Sequence, residues 1–250
     1  MFLEKVIYKF KGISLSEMDA VKLMNRSDRK YWFNVASLAE LLADVIDDYY
    51  LLEVDGERNL PYATTYYDTQ EEIMYNNHHR GKLNRYKIRR RNYQATKSSF
   101  LEVKFKNNKG RTVKVRKSSD YAQSDFSLSD SEFITNNTPY KTIELKQVLD
   151  NRFNRLMLVS KEMNERCTID TELRFISNGQ QVGLDSLVVL EVKTNGRSKS
   201  HIIDALNQHR IKPSGFSKYC VGRSITDDTL KINNFKRKHR DINKITKIVV

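Results

Sequence analysis

Lysines and arginines recur on alternate residues of several short segments, and this spacing is the first chemical signal in the sequence. Lys87, Arg89, Arg91 and Tyr93 stand two apart; Lys104 and Lys106 follow Glu102; Lys114 and Arg116 flank Val115. Further along, Arg155 and Lys161 bracket an apolar stretch, Arg166 opens the series Arg166, Thr168, Asp170, Glu172, and Lys193 follows Glu191. Residues two apart share one face of a strand. Each segment therefore sets charge on one side against an apolar side, as in Leu101, Val103 and Phe105, or Val188, Leu190 and Val192. Arginine grips phosphate oxygens through two N–H groups at once and lysine adds point charges, so such rows suit a polyanion.

Alternation alone fits ordinary half-exposed strands with a polar side in water equally well. Two features favour an anion. Solvent faces usually mix polar types, whereas these faces repeat one sign of charge, and like charges directly opposite on paired strands repel. If the sheet closes into a barrel with these faces inward, unpaired cations leave water at a cost of several kcal/mol each, roughly, and a polyanion would relieve that. The grip must come from side chains, because neither G-x-x-x-x-G-K-[ST] nor G-x-G-x-x-G occurs. Glu191, Glu102, Asp170 and Glu172 stand among the bases. Oxygen ligands of this kind suit Mg2+ or Mn2+ held jointly with substrate phosphates. For Glu102 and Glu172 the simpler role is an ion pair with a basic neighbour.

The elements that must position these residues are mostly strands. Period-two patterning covers 86–93, 100–106, 111–116, 155–161, 166–175 and 187–193, with Asn108-Lys109-Gly110 as a hairpin turn and Asn178-Gly179 in the link between the last two. Helices are expected over 37–49, where Ser37 and Glu40 form a capping-box pattern, and over 17–24, 143–154 and 202–209. The expected class is α+β, an antiparallel sheet with covering helices, in one domain spanning 1–250.

The chain has 44 Lys and Arg against 31 Asp and Glu, a net charge of +13. Its apolar runs, such as Leu187 to Leu190, fall far short of the roughly 20 residues a membrane helix needs. No signal-peptide pattern opens it, so a cytoplasmic location is expected. Cys167 and Cys220 read as buried, reduced thiols. Adjacent His78 and His79 point apart and form no metal pair; no Ser/His/Asp or Cys/His set supports nucleophilic catalysis. The basic 231–250 segment could touch nucleic acid or a membrane surface, but a solvated or helix-packed tail fits it better. Nucleic acid is disfavoured as a partner, since the bases lie on alternate strand residues and not along one external helix.

An ordered set of fragments then resembles the VTC-domain family, the polyphosphate-polymerase branch of the triphosphate tunnel metalloenzymes (CYTH-like proteins). These are Asp28 to Phe33, Thr65 to Thr69, His79-Arg80-Gly81, Lys87 to Tyr93, Leu101 to Lys104, Val113 to Arg116, Glu165 to Asp170, Leu190 to Lys193 and Gly215 to Tyr219, within a core of about 28–222. The resemblance implies an eight-stranded antiparallel β-barrel, the triphosphate tunnel, with flanking helices. It implies transfer of the γ-phosphoryl of ATP to inorganic polyphosphate, with Mn2+ or Mg2+ on Glu191. It assigns phosphate contacts to Lys30, Arg89, Arg91, Lys104, Lys114, Arg155, Arg166 and Lys218, with Lys30 and Lys218 orienting donor and acceptor. Lys87, Lys106, Arg116, Lys161 and Lys193 share the same faces and are expected to line the tunnel. The acid-rich ExExK signature of the triphosphatase relatives is replaced by Asp28-Arg29-Lys30, and Gly215 stands where the eukaryotic polymerases carry a lysine. A tripolyphosphatase, or a polyphosphate-binding module without catalysis, are the competing readings. A polymerase that does not itself span a membrane would suit a membrane translocator as partner.

Overall fold

The computed structural model describes residues 2–19, 26–121, 123–195 and 199–248. Helices α1 (Phe2–Ile7) and α2 (Leu15–Asp19) flank strand β1 (Lys11–Ile13); β2 (Arg26–Asn34), α3 (Leu38–Ala43), β3 (Tyr49–Leu52), β4 (Leu60–Thr69) and α4 (Ile73–His79) follow. The middle of the chain is β5 (Arg85–Tyr93), β6 (Ser98–Lys106), β7 (Thr112–Ser119) and α5 (Leu128–Asn137). Then come β8 (Leu145–Ser160), β9 (Glu165–Ser177), β10 (Gln180–Leu184), β11 (Leu187–Asn195), α6 (His201–Gln208), α7 (Lys218–Thr226) and α8 (Lys236–Thr246).

Eight strands lie on one hydrogen-bonded path, β2-β11-β9-β8-β4-β5-β6-β7, all antiparallel neighbours. The expected barrel does not close by hydrogen bonds: among the described residues no ladder joins β2 to β7. The path curls instead, so that side chains from both ends line one cavity. The wall β2-β11-β9-β8 shows why. Its outward face carries Tyr31, Phe33, Val188, Leu190, Val192, Cys167, Ile169, Leu156 and Leu158, all buried in one core with α1, α3 and α6. The alternate residues Lys30, Glu191, Lys193, Arg166, Asp170 and Arg155 are left facing the cavity. Helix α7 packs on β8, β9 and β10, its Tyr219, Cys220 and Val221 joining a second core with Leu149 and Phe175.

Three sequence expectations change. The helix predicted over 143–154 is strand β8, preceded by a short 3-10 turn at Thr142–Glu144. Leu145, Val148, Leu149 and Phe153 have helical spacing, but two irregularities in the ladders of β8, at Tyr66/Tyr67 and at Arg152/Asn154, break the period of two and imitate it. The helix expected over 37–49 shrinks to α3: Asn34, not Ser37, caps the preceding 3-10 turn by accepting from the Ala36 N–H, and Tyr49 opens β3. Glu172 adopts φ 52° opposite that second irregularity and is exposed, so it leaves the cationic face, and Leu173 and Phe175 move into the inner core in its place. The helix expected over 17–24 is observed as α2 as far as Asp19; residues 20–24 lie outside the described residues. The hairpin turn before β7 is as expected, with Gly110 at φ 75°.

Candidate active site

A cavity of about 870 Å³ runs through the curled sheet, and thirteen of its lining residues are Lys or Arg against three acids, Asp28, Asp170 and Glu191. The ladders set these bases in cross-strand rows. Lys87, Lys104 and Lys114 lie side by side on β5, β6 and β7; one pleat away Arg85 pairs Lys106, and in the other direction Arg89 pairs Glu102. On the opposite wall Lys30 pairs Glu191, and Asp28, Lys193 and Arg166 form the neighbouring row. Three lysines abreast repel one another. The fold holds them there because Ile88, Val103 and Leu101 on the reverse face are buried in a core. Arg90, also on the reverse, ties the α5 end of the molecule to β5 by donating to the Asp125 carbonyl at 3.1 Å and to Asp130 at 3.0 Å.

Three carboxylates are each shared by two bases. Glu102, fully buried, accepts from Arg89 Nε at 2.7 Å and Lys114 Nζ at 2.9 Å. Asp170 receives both Nε and Nη2 of Arg155, at 2.6 and 2.9 Å, and Lys218 Nζ. Glu191 pairs with Lys30 and with Lys193 at 2.9 Å. Burial alone would raise all three carboxyls, but the adjacent cations outweigh it and hold each well below the ordinary range. Arg91, Lys87 and Lys104 have no carboxylate partner among the described residues. Burial pushes Lys87 and Arg91 down, and Arg89, with burial second, pushes Lys104 well below the usual lysine range. These are cations short of negative charge.

Of the predicted residues, Lys30, Lys87, Arg89, Arg91, Lys104, Lys106, Lys114, Arg155, Arg166, Glu191, Lys193 and Lys218 come together around the cavity. Arg116 and Lys161 do not. Arg116 is exposed and stacks on Phe100, its guanidinium 4.6 Å from the ring centre. Lys161 lies past the end of β8, exposed, with its Nζ 6.0 Å from the Tyr50 ring, because the turn after Ser160 breaks the alternation that pointed it inward. Among the lining residues that sequence reasoning missed are Tyr66, His78, Arg85 and Lys238. Arg85 shares the period of Lys87 and was legible; His78 and Lys238 come from helices, where period two says nothing.

Local structure aims the remaining groups. Ser217 caps α7 by accepting from the Cys220 N–H and also receives Lys87 Nζ at 2.9 Å, which fixes the start of the helix carrying Lys218. Asp68 accepts from the N–H groups of Met74 and Tyr75 at the start of α4, both at 2.9 Å, and from the Tyr219 hydroxyl, locking α4 and α7 to β4. At one end Arg91, Arg155 and Lys218 lie over the rings of Tyr62 and Phe153 at 4.8 to 6.0 Å.

Residues 25–226 match the VTC domain. The chain belongs to the VTC-domain family. A solved Hippeastrum protein, the provisionally assigned adenylyl cyclase HpAC1 with a dominant triphosphatase activity, aligns over 84% of this chain and 99% of its own at 16% identity and a TM-score of 0.54. A provisionally assigned adenylate cyclase from Vibrio parahaemolyticus covers 79% and 99% at 10% identity and a TM-score of 0.48. No curated protein matches the chain significantly. The Hippeastrum likeness shows the fold, the triphosphate tunnel, and the VTC domain here is that tunnel with helices around it. No described helix is long and apolar enough to cross a membrane.

The donor set for a metal is sparse. No group of three His, Cys, Asp or Glu gathers among the described residues. Glu191 and Asp28, from neighbouring cross-strand rows, and Asp170 on β9 supply the carboxylates that line the cavity. That suits Mg2+ or Mn2+, which keep water and take phosphate oxygens along with one or two carboxylates.

Proposed function

We propose that this protein is a polyphosphate polymerase that transfers the γ-phosphoryl of ATP to the end of an inorganic polyphosphate chain within the tunnel. The observation that carries the reading is the length of the cationic track. On β5 alone, cavity-facing bases run from Arg85 to Arg91, six residues or about 20 Å at the rise of a strand. A triphosphate occupies only part of that length, and a chain of phosphates fills it. Arg89, Arg91, Lys104, Arg155 and Arg166 would hold the β and γ phosphates, and Lys30 and Lys218 the donor and acceptor ends. Glu191 would hold the divalent ion, which when bound neutralises phosphate charge. Catalysis by such a site is positioning and charge neutralisation, which suits the loose transition state of phosphoryl transfer.

The competing acceptor is water, as in the triphosphatase activity of the Hippeastrum protein of the same fold. Incubating the purified protein with ATP and Mn2+ or Mg2+ separates the two. Long chains on a polyphosphate-stained gel with stoichiometric ADP, lost in Arg91→Ala and Glu191→Ala, support the polymerase. ADP with free phosphate and no chains supports the hydrolase.

A further inference from the structure

The cavity is not alike at its two ends. Arg91, Arg155 and Lys218 sit among aromatic rings at one end, with Asp170 as partner to two of them. At the other end Arg85, Lys87, Lys106 and Lys238 gather around His78. No ion pair to a carboxylate is found for these four bases among the described residues. His78 lines this end, and its Nδ1 is buried without a hydrogen-bond partner. Burial, with Lys87, Arg85, Lys106 and Lys238 nearby, pushes its imidazole down to about 2, so it is neutral. A neutral ring with its proton on Nδ1 can still donate to an anionic oxygen.

Lys238 reaches the cavity from α8, beyond the segment that matches the VTC domain. Its position is built. Phe235 packs against Tyr75, His78 and His79; Asn234 donates through its amide to the His79 carbonyl at 2.7 Å; and the Tyr75 hydroxyl donates to the Lys231 carbonyl at 2.9 Å. Ile242, one turn further along the same face of the helix, is fully buried. The Lys238 ammonium donates to the Gly215 carbonyl and lies 5.7 Å from the Trp32 ring centre.

We infer that Lys238, Lys106, Lys87, Arg85 and His78 form a distal subsite for linear polyphosphate, which engages the part of the chain beyond the three phosphates nearest the reacting end. This rests on the polymerase reading and deepens it: the subsite makes affinity rise with chain length, and α8 supplies part of it. A condensed phosphate chain is the ligand chemistry that fits, because the end offers a run of cationic donors with no ion-paired carboxylate among the described residues.

The test is calorimetric binding of inorganic tripolyphosphate and of a longer linear polyphosphate, without ATP or turnover. Wild type should bind the longer chain more tightly. Lys238→Gln, whose stem keeps its packing, should lose about tenfold in long-chain affinity, the worth of one charge-assisted hydrogen bond, with a smaller change for tripolyphosphate. Lys106→Gln, on a strand, should do the same and guards against a folding defect in α8. If both variants leave long-chain affinity intact, or lower both ligands equally, the subsite is wrong while the polymerase reading stands. If wild type binds neither anion, the polymerase reading itself fails.

Discussion

Glu102 is the residue on which the cavity's charge balance turns, because Arg89 and Lys114 both close on it. Glu102→Gln removes the carboxylate and leaves two cations uncompensated, a change that costs about 3–5 kcal/mol when a buried pair is broken. The melting temperature should drop accordingly, and tripolyphosphate should restore more of it in the variant than it adds to wild type; equal shifts would show that Glu102 does not stand in for the ligand. Glu102 and Asp170 also set the acid limit of the fold. Their folded-state values lie below those of the unfolded chain, so the unfolded chain takes up protons first. The stability they contribute is complete above the ordinary carboxylate range and is lost as pH falls through it towards the folded values. Thermal unfolding followed by circular dichroism should show a melting temperature that declines steeply only below that range. Lys104 works in the opposite sense. Held well below the usual lysine value in the free protein, it binds its proton more tightly when a polyanion offsets Arg89 and Arg91. Tripolyphosphate binding should therefore take up protons, and affinity should fall with rising pH between the lowered free value and the ordinary lysine range. Calorimetry in buffers of different ionisation enthalpy measures this uptake; an uptake of zero would exclude the coupling.

Helix α7 is the element through which packing reaches chemistry. Gly222 lies so close to the sheet that a Cβ there would meet Phe175 at 2.5 Å and Leu149 at 2.6 Å, while Lys218 and the Ser217 cap stand one turn earlier. Gly222→Ala should destabilise by about 1–3 kcal/mol through overpacking and should weaken tripolyphosphate binding by shifting Lys218 away from Asp170; a lower melting temperature with unchanged affinity would separate the two effects. Elements also mark what was legible in the sequence. The faces of β5, β6 and β11 were readable because their ladders run without a register shift and set a base against Ile88, Val103 or Val192. The ends of β8 and the middle of β9 were not, because an irregular ladder residue costs nothing in composition yet reverses every side chain after it. Glu172 was misplaced for this reason, and Lys161 because the turn after Ser160 ends the alternation. His78 and Lys238 were invisible for another: helices deliver them from positions distant in sequence.

At the scale of the whole molecule, thirteen bases facing three acids make the cavity a region of concentrated positive potential. Polyanion affinity should fall by about tenfold or more as ionic strength rises from ~0.01 M to ~0.15 M, over which the screening length shrinks from about 30 to about 8 Å; an affinity indifferent to salt would mean that hydrogen-bond geometry, not field, governs capture. The same field must be contained when no anion is bound, and Glu102, Asp170 and Glu191 do this for six of the bases. The unjoined edges of β2 and β7 add a topological consequence. A closed ring can accept a polymer only by threading from a free end. Here no strand ladder joins β2 to β7 among the described residues, and the β2 edge is held instead by the Ser214 N–H donating to the Lys30 carbonyl at 2.8 Å, so the walls can part along that seam without breaking a ladder. A phosphate chain blocked at both ends could then be admitted sideways, and a long product could be released without being unthreaded.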